Sequence, residues 1–262
     1  MCAVSLADEI TLRPEAFGIR LLCEDPSVPK GSANLAVRAA QAYLESARRR
    51  LERPLGVALE LRKHIPMQAG MGGGSSDAAG VLAGLDAMLG GLLGPSDLRA
   101  LALPLGADVP FFLGPSGAEL IEGIGGPGIP ITVRPFWAAV VKPAFGVSTK
   151  WAYQHCTPCA EAEGVNQLLA ALETGDLKTA GQLMRNDLEL PVINQYPELA
   201  AVRRQLLEAG ALGAMMTGSG SAVFGLAESR EAAERLASAV STPDRLTFVV
   251  CSTAPALEVY SE

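Results

Sequence analysis

Hydrophobic positions along the chain switch between two periods, and the switches mark its elements. Val57, Leu59 and Leu61 alternate with Ala58, Glu60 and Arg62, which predicts a strand. Ala78, Val81, Leu82, Leu85 and Leu89 then recur at helical spacing. Upstream, Val4 to Leu12 reads as a strand containing Asp8 and Glu9, and Ile19, Leu21 and Cys23 alternate as a second. Asn34 is placed to cap a helix with the apolar face Leu35, Ala39, Ala40, Tyr43, Leu44 and Ala47, closed by Pro54 and Gly56. Ser96 caps a short predicted helix over 97–103. Short strands are expected at 120–121 and 131–133, a longer one over 137–141, and a helix opening after Gly146. Helices follow over 166–172, 177–188, 198–209 and 230–239, before a closing strand over 246–251. The layout is α+β, with a soft boundary near Lys142-Pro143 that divides the chain into units 1–142 and 143–262.

Between the strand at 57–61 and the helix from Ala78 lies Pro66-Met67-Gln68-Ala69-Gly70-Met71-Gly72-Gly73-Gly74-Ser75-Ser76-Asp77. Glycines admit positive φ and let a ligand approach the main chain. Successive free N–H groups in such a loop form a concave anion site, and the helix N-terminus behind it adds about half a positive charge. Ser75, Ser76 and Asp77 stand where helix caps stand, and a serine hydroxyl there can also meet a metal ion or a phosphate oxygen. The stretch reads as a polyphosphate cradle; a flexible glycine linker is the plainer alternative, disfavoured by the flanking strand and helix. The P-loop pattern fails because no lysine follows the last glycine, and the dinucleotide pattern fails because Ser75 takes its third glycine position.

Further along, Gly106-Ala107-Asp108-Val109-Pro110-Phe111-Phe112 sets one acid among apolar residues. A buried carboxylate is costly unless paired or used, so Asp108 is either a catalytic carboxylate beside the phosphate loop or the acid of a turn or cap. Thr217-Gly218-Ser219-Gly220 lies between short strands, where its amides either approach the first loop or close a plain hairpin. In Arg185-Asn186-Asp187-Leu188-Glu189 the polar residues read as helix-end capping. Tyr153 is a candidate base-stacking surface or ordinary helix packing.

Composition narrows the function classes. The 262 residues are 49% hydrophobic with mean hydropathy +0.25, which describes a compact globular protein of one or two domains. A net charge of −7 argues against nucleic acid as a partner. Arg48-Arg49-Arg50 reads as a solvated helix end. No apolar run reaches membrane-spanning length and no signal peptide is recognisable, so no membrane partner and a cytoplasmic location are expected. The five cysteines are scattered, as reduced thiols are; Cys156-x-x-Cys159 has redox or zinc spacing but no second pair.

Pro66 to Ala79 resembles the second motif of the GHMP kinases, P-x-x-x-G-L-G-G-G-S-S, with Met71 at the usual leucine. The segment around Thr217 to Gly220 is similar to their third motif. Gly-Ala-Asp-Val-Pro-Phe-Phe resembles the branch that phosphorylates 4-diphosphocytidyl-2-C-methyl-D-erythritol, and the resemblance covers nearly the whole chain. It implies a two-domain fold, with an N-terminal domain like ribosomal protein S5 domain 2 and a ferredoxin-like α+β C-terminal domain. The implied reaction is transfer of the ATP γ-phosphate to the 2-hydroxyl of that small-molecule substrate in the non-mevalonate route to isoprenoid precursors. The resemblance makes Asp108 the catalytic base and assigns ATP to Pro66 through Ser76 with Asn34 and Lys63. Substrate falls to Thr149, Tyr153, Thr217 and Gly218, and a Mg²⁺ contact to Ser76. A monomer or weak homodimer is expected. Rival readings are another GHMP small-molecule kinase, of homoserine or mevalonate type, and a nucleotide-binding module without catalysis.

The family's first motif, P-A-K-I-N-L, and its D-G-Y-H segment are not found in this sequence. With them go a lysine partner of the aspartate and one face of the base pocket. The resemblance implies a chain that starts inside the family's third strand, by truncation more readily than by degeneration. Such a chain is expected to bind ATP poorly, to show little kinase activity and to expose a sheet edge prone to aggregation.

Overall fold

The computed structural model describes residues 1–51, 53–123, 125–126, 128–159 and 164–260. β1 (Glu9–Glu15) and β2 (Ile19–Leu22) are followed by helix α1 (Leu35–Ala47) and β3 (Gly56–Arg62). The sheet order is β1-β3-β2, with β1 antiparallel and β2 parallel to the central strand. A parallel pair needs a crossover, which α1 supplies. Helices α2 (Gly73–Met88), α3 (Gly94–Ala102) and α4 (Val109–Phe112) complete this half, with a two-stranded ribbon of β4 (Glu119–Leu120) and β5 (Ile129–Pro130). Val57 and Leu59 of β3, Tyr43 of α1, and Val81, Leu82 and Leu85 of α2 bury fully in one apolar cluster. Within it the Tyr43 hydroxyl and the Leu93 amide both donate to Asp86 Oδ1, at 2.9 and 2.8 Å. Burial and this carboxylate push the phenol well above the usual tyrosine range.

β6 (Trp137–Pro143) opens the second half, followed by α5 (Thr149–His155), α6 (Val165–Thr174), α7 (Leu177–Leu183), α8 (Glu189–Gln195) and α9 (Glu198–Glu208). Then come β7 (Ala214–Met216), β8 (Val223–Ala227), α10 (Arg230–Val240) and β9 (Arg245–Cys251). The sheet is antiparallel throughout, in the order β7-β8-β6-β9. With its two helix-bearing crossovers this is the ferredoxin-like arrangement. Successive strand residues face opposite ways, and β6 uses both faces. Ala139 and Val141 join the core beneath α9 and α10, with Leu199, Leu206 and Leu236. Ala138 and Val140 join a separate cluster that includes Ala69 of the glycine loop. One strand therefore ties the second sheet to the glycine loop.

Several expected boundaries shift. β1 begins at Glu9, not Val4, which makes only an isolated bridge to Ser252; Asp8 instead turns inward. The helix expected over 177–188 stops at Leu183, where Met184 takes ψ 135°. α3 starts at Gly94 with Pro95 in its first turn, so Ser96 is not its cap. The boundary expected at 142/143 falls inside β6, whose partners are β8 and β9. We propose that the division lies in the segment before Trp137. Tyr43→Phe should lower stability by about 1 kcal/mol, the net worth of one buried hydrogen bond. Urea unfolding with an unchanged slope is the check.

Candidate nucleotide and acceptor site

The glycine loop leaves β3 at Ile65 and enters α2 by a left-handed step. Gly70 and Gly72 both take φ +71°, which an L side chain resists. Gly72 precedes the first helical residue, so α2 starts at Gly73, earlier than the caps expected at 75–77. Ser75 and Ser76 N–H both donate to Gly72 O at 2.9 Å. The amides of residues 70–74 donate to no acceptor among the described residues. Half-buried free amides ahead of a 16-residue helix are an anion cradle.

The third motif forms the wall of this cradle. Thr217 Oγ1 donates to Gly70 O at 3.1 Å, and the amides of Ser221 and Ala222 donate to Gln68 O and Ala69 O at 3.2 and 3.0 Å. A Cβ on Gly70 would abut Thr217 O and lie 2.6 Å from Gly220 N; one on Gly218 would lie 2.6 Å from Gly70 O. Main chain meets main chain, and glycine is required on both sides. Residues 217–222 close the antiparallel β7–β8 hairpin, Thr217 N donating to Ala222 O and Gly220 N to Thr217 O, both at 2.9 Å, and the same hairpin docks on the glycine loop. Asn186 Nδ2 supports the motif by donating to Met216 O and Gly218 O, each at 2.8 Å, while its Oδ1 accepts from Leu188 N. Glu189 accepts from Met216 N at 2.9 Å. The Asn-Asp-Leu-Glu stretch thus does more than cap a helix.

Beneath the cradle lies a closed charge cluster. Lys63 Nζ contacts Asp8 Oδ2 and, at 2.8 Å, Asp77 Oδ2, with all three side chains nearly fully buried. Asp8 Oδ1 also accepts the His64 and Ile65 amides at 2.6 and 2.9 Å, fixing the chain where it turns into the loop. Burial pulls the lysine pKa down, but Asp77 and Asp8 more than reverse this and hold it above the ordinary range. Burial lifts Asp77 to about 7 despite Lys63, and its Oδ1 has no hydrogen-bond partner. Sequence reading treated Asp8 as a strand residue and Asp77 as a cap; only the fold shows that they share a lysine.

Asp108 immediately precedes α4 and its side chain makes no cap hydrogen bond. The carboxylate is exposed rather than buried as the sequence suggested, although partial burial still raises its pKa. The turn carrying it packs on the cradle. A Cβ on Gly106 would lie 3.8 Å from Ser75 Oγ, and the Phe112 ring of α4 sits 3.2 Å from the corresponding point on Gly72. Val109 and Phe111 anchor α4 in the core.

The other expected residues divide. Asn34 caps α1, its Oδ1 accepting from Ala36 N and its Nδ2 donating to Pro29 O, so its side chain is spent on structure. Lys63 likewise is engaged by two carboxylates and does not reach into the loop as a free cation. Thr149 is exposed at the start of α5, and its hydroxyl lies 3.0 Å from that of Ser219, joining α5 to the third motif. Tyr153 is 66% exposed on the same helix and stacks on no other ring among the described residues, unlike Trp151, which stacks on His155. Ser76 Oγ donates to Gly73 O at 2.8 Å; Ser75 Oγ makes no hydrogen bond among the described residues.

The chain matches two family models, the GHMP kinases N terminal domain over residues 34–114 and the GHMP kinases C terminal over 168–244. It is 41% identical over 249 residues to a 4-diphosphocytidyl-2-C-methyl-D-erythritol kinase of Synechococcus sp. (strain JA-3-3Ab), covering 88% of this chain and 77% of that protein. The chain belongs to the GHMP kinases. The enzyme of the same name from Geobacter sulfurreducens is also 41% identical, with 90% of this GHMP kinase and 83% of that protein covered. A crystal structure of 4-(cytidine 5'-diphospho)-2C-methyl-D-erythritol kinase superposes with a TM-score of 0.79 at 39% identity, over 95% of this chain and 87% of that one. Homoserine kinase from Cytophaga hutchinsonii superposes at 0.78 with 23% identity, over 96% and 92% of the two chains, a likeness of fold alone.

No cluster of three His, Cys, Asp or Glu that could hold a metal occurs among the described residues. Both serine hydroxyls keep lone pairs free at the cradle. That donor set fits a Mg²⁺ held mainly by nucleotide phosphates, with Ser76 as a protein contact, and not a protein cage.

Two substitutions test the geometry. Gly70→Ala adds a left-handed penalty of about 1–2 kcal/mol and a backbone clash, so ADP affinity by calorimetry should fall at least about tenfold. Asp77 carries a folded-state pKa above its unfolded one. Its contribution to stability is present below the unfolded value of 3.8 and is lost as pH rises towards about 7. Asp77→Asn should flatten that limb of a melting-temperature profile between pH 4 and 8.

Proposed function

We propose that this GHMP kinase transfers the γ-phosphate of ATP to the 2-hydroxyl of 4-diphosphocytidyl-2-C-methyl-D-erythritol, a step of the non-mevalonate route to isoprenoid precursors. The observation that carries the reading is the five-amide cradle at the start of α2, with the Asp108 turn packed against it. The names of relatives about 40% identical over most of their length support the acceptor.

In this reading the amides of residues 70–74 hold the nucleotide's phosphates, and the positive end of α2 offsets their charge. When bound, Mg²⁺ supplies further neutralisation of the phosphate oxygens. The acceptor hydroxyl oxygen forms a bond to the γ-phosphorus as the bond to the ADP oxygen breaks. Asp108 orients that hydroxyl and takes its proton. Burial raises its pKa above the ordinary aspartate value, which makes it a stronger proton acceptor. Thr149 and Tyr153 face the acceptor, the exposed tyrosine ring offering a stacking surface for cytosine. Thr217 and Gly218 close the wall between nucleotide and acceptor. Phosphoryl transfer asks for little covalent chemistry from the protein, so positioning and electrostatics supply most of the rate. The enzyme works on small anions in the cytoplasm, as a monomer or weak homodimer, with neither nucleic acid nor membrane as partner.

The test is ADP release from ATP with 4-diphosphocytidyl-2-C-methyl-D-erythritol, homoserine or mevalonate as acceptor. Turnover should be confined to the first. Asp108→Asn should lower kcat by about 10²–10⁴-fold, the usual weight of a general base, with ADP affinity within twofold. Equal rates on homoserine or mevalonate would move the chain to another branch.

A further inference from the structure

Lys142 is a buried lysine at the end of β6 that no part of the mechanism above uses. It is 6% exposed and lies on the strand face of Ala138 and Val140, the face that packs on Ala69. No carboxylate pairs with it in any ion pair among the described residues. Its ammonium donates instead to two main-chain carbonyls, Pro143 O at 2.8 Å and Phe145 O at 2.7 Å. A buried ammonium is retained only where its hydrogen bonds repay desolvation, and burial does depress its pKa.

Those carbonyls belong to the turn leading into α5. Phe145 O also accepts from Ser221 Oγ at 2.7 Å. One residue on, a Cβ at Gly146 would lie 2.6 Å from Gln68 Cβ, and the Val147 amide donates to Gln68 O at 3.3 Å. Gln68 O receives the Ser221 amide as well. Gln68 itself holds φ +52°, a conformation a non-glycine residue keeps only when its neighbours impose it. The Lys142 ammonium is thus the base of a knot in which the 143–147 turn, the glycine loop and the third motif meet.

We infer that Lys142 is a positioning residue: by clamping the Pro143 and Phe145 carbonyls it fixes α5, with Thr149 and Tyr153, relative to the nucleotide cradle. Its effect falls on the acceptor side of the site, because the cradle amides are held separately by α2 and Thr217. The consequence for turnover rests on the function proposed above; the structural coupling does not.

The test compares Lys142→Met, which keeps the aliphatic stem and removes the donors, with Ser221→Ala, which removes the other donor to Phe145 O. Hydrogen exchange is read at the Val147 and Ser221 amides, and steady-state kinetics with ATP and 4-diphosphocytidyl-2-C-methyl-D-erythritol are measured well below the melting point. In Lys142→Met, exchange at those two amides should quicken at least about tenfold, one factor of ten in the opening equilibrium, while β8 and β9 keep their protection. KM for the acceptor should rise about tenfold or more with KM for ATP within twofold, and the double variant should lose less than the product of the single losses. Unchanged exchange at Val147 and Ser221, or equal rises in both KM values, overturns the inference. An unmodified chain inactive on every acceptor would refute the proposed function, and the exchange result would still decide the role of Lys142.

Discussion

The site depends on a place where two stretches of main chain touch without side chains between them. Residues 68–70 and 217–222 exchange hydrogen bonds through Gln68 O, Ala69 O and Gly70 O, and the approach leaves no room for a Cβ on Gly70 or Gly218. The contact has two effects. It occupies the carbonyls of the loop, and so leaves amides facing the open side. It also welds the first sheet's loop to the second sheet's hairpin, so the two halves of the molecule share one rigid seam at the chemistry.

Charge is handled in an unexpected way for the polyphosphate cradle proposed here. The chain carries a net charge of −7, and two buried lysines close to the loop are both engaged by protein partners. Lys63 is neutralised by Asp8 and Asp77, and Lys142 is spent on carbonyls. In the proposed function, attraction for phosphate rests on the amide dipoles and the N-terminal end of α2. Dipoles fixed in the fold need no reorganisation when the ligand arrives, whereas a lysine on a flexible stem does. The buried cations act one step back: Lys63 with Asp8 sets the angle at which the chain enters the loop, and Lys142 sets the angle at which the α5 turn leaves the sheet.

Much of this was legible in the sequence. The strand, glycine loop and helix order was written in the switch from period two at Val57–Leu61 to helical spacing after Ala78, because both elements bury one face on a common core. The ferredoxin-like half and the glycine motif at 217–220 were legible too. What the sequence did not show was of one kind. Asn34 and Lys63 carry the right chemistry for a ligand, and in the fold both side chains also have protein partners. Asp108 sits in an apolar segment, yet Val109, Pro110 and Phe111 bury and the acid faces out. Asp8, Asp77 and Asn186 owe their roles to partners 14 to 57 residues away along the chain, and periodicity cannot see such pairs. At the soft boundary placed near Lys142-Pro143 the lysine is buried and both residues belong to the end of β6.

The burial of Lys142 at that position bears on how the two halves cooperate. A charged residue at the end of an apolar strand is the usual sign that the strand has surfaced. In β6 the strand stays covered to Pro143, and the charge is buried because the turn after it must hold a shape that no regular ladder can impose. A turn has few hydrogen bonds of its own, so an ammonium with several donors is an economical way to gather carbonyls that point in different directions. The same logic governs Asp8, whose single carboxylate gathers one ammonium and two amides at the other entrance to the loop. The cradle is thus framed by two buried charges of opposite sign, each bonded to the backbone of a turn. Distortion of the Asp8 turn is passed to the glycine loop, and distortion of the Lys142 turn to α5 on the acceptor side.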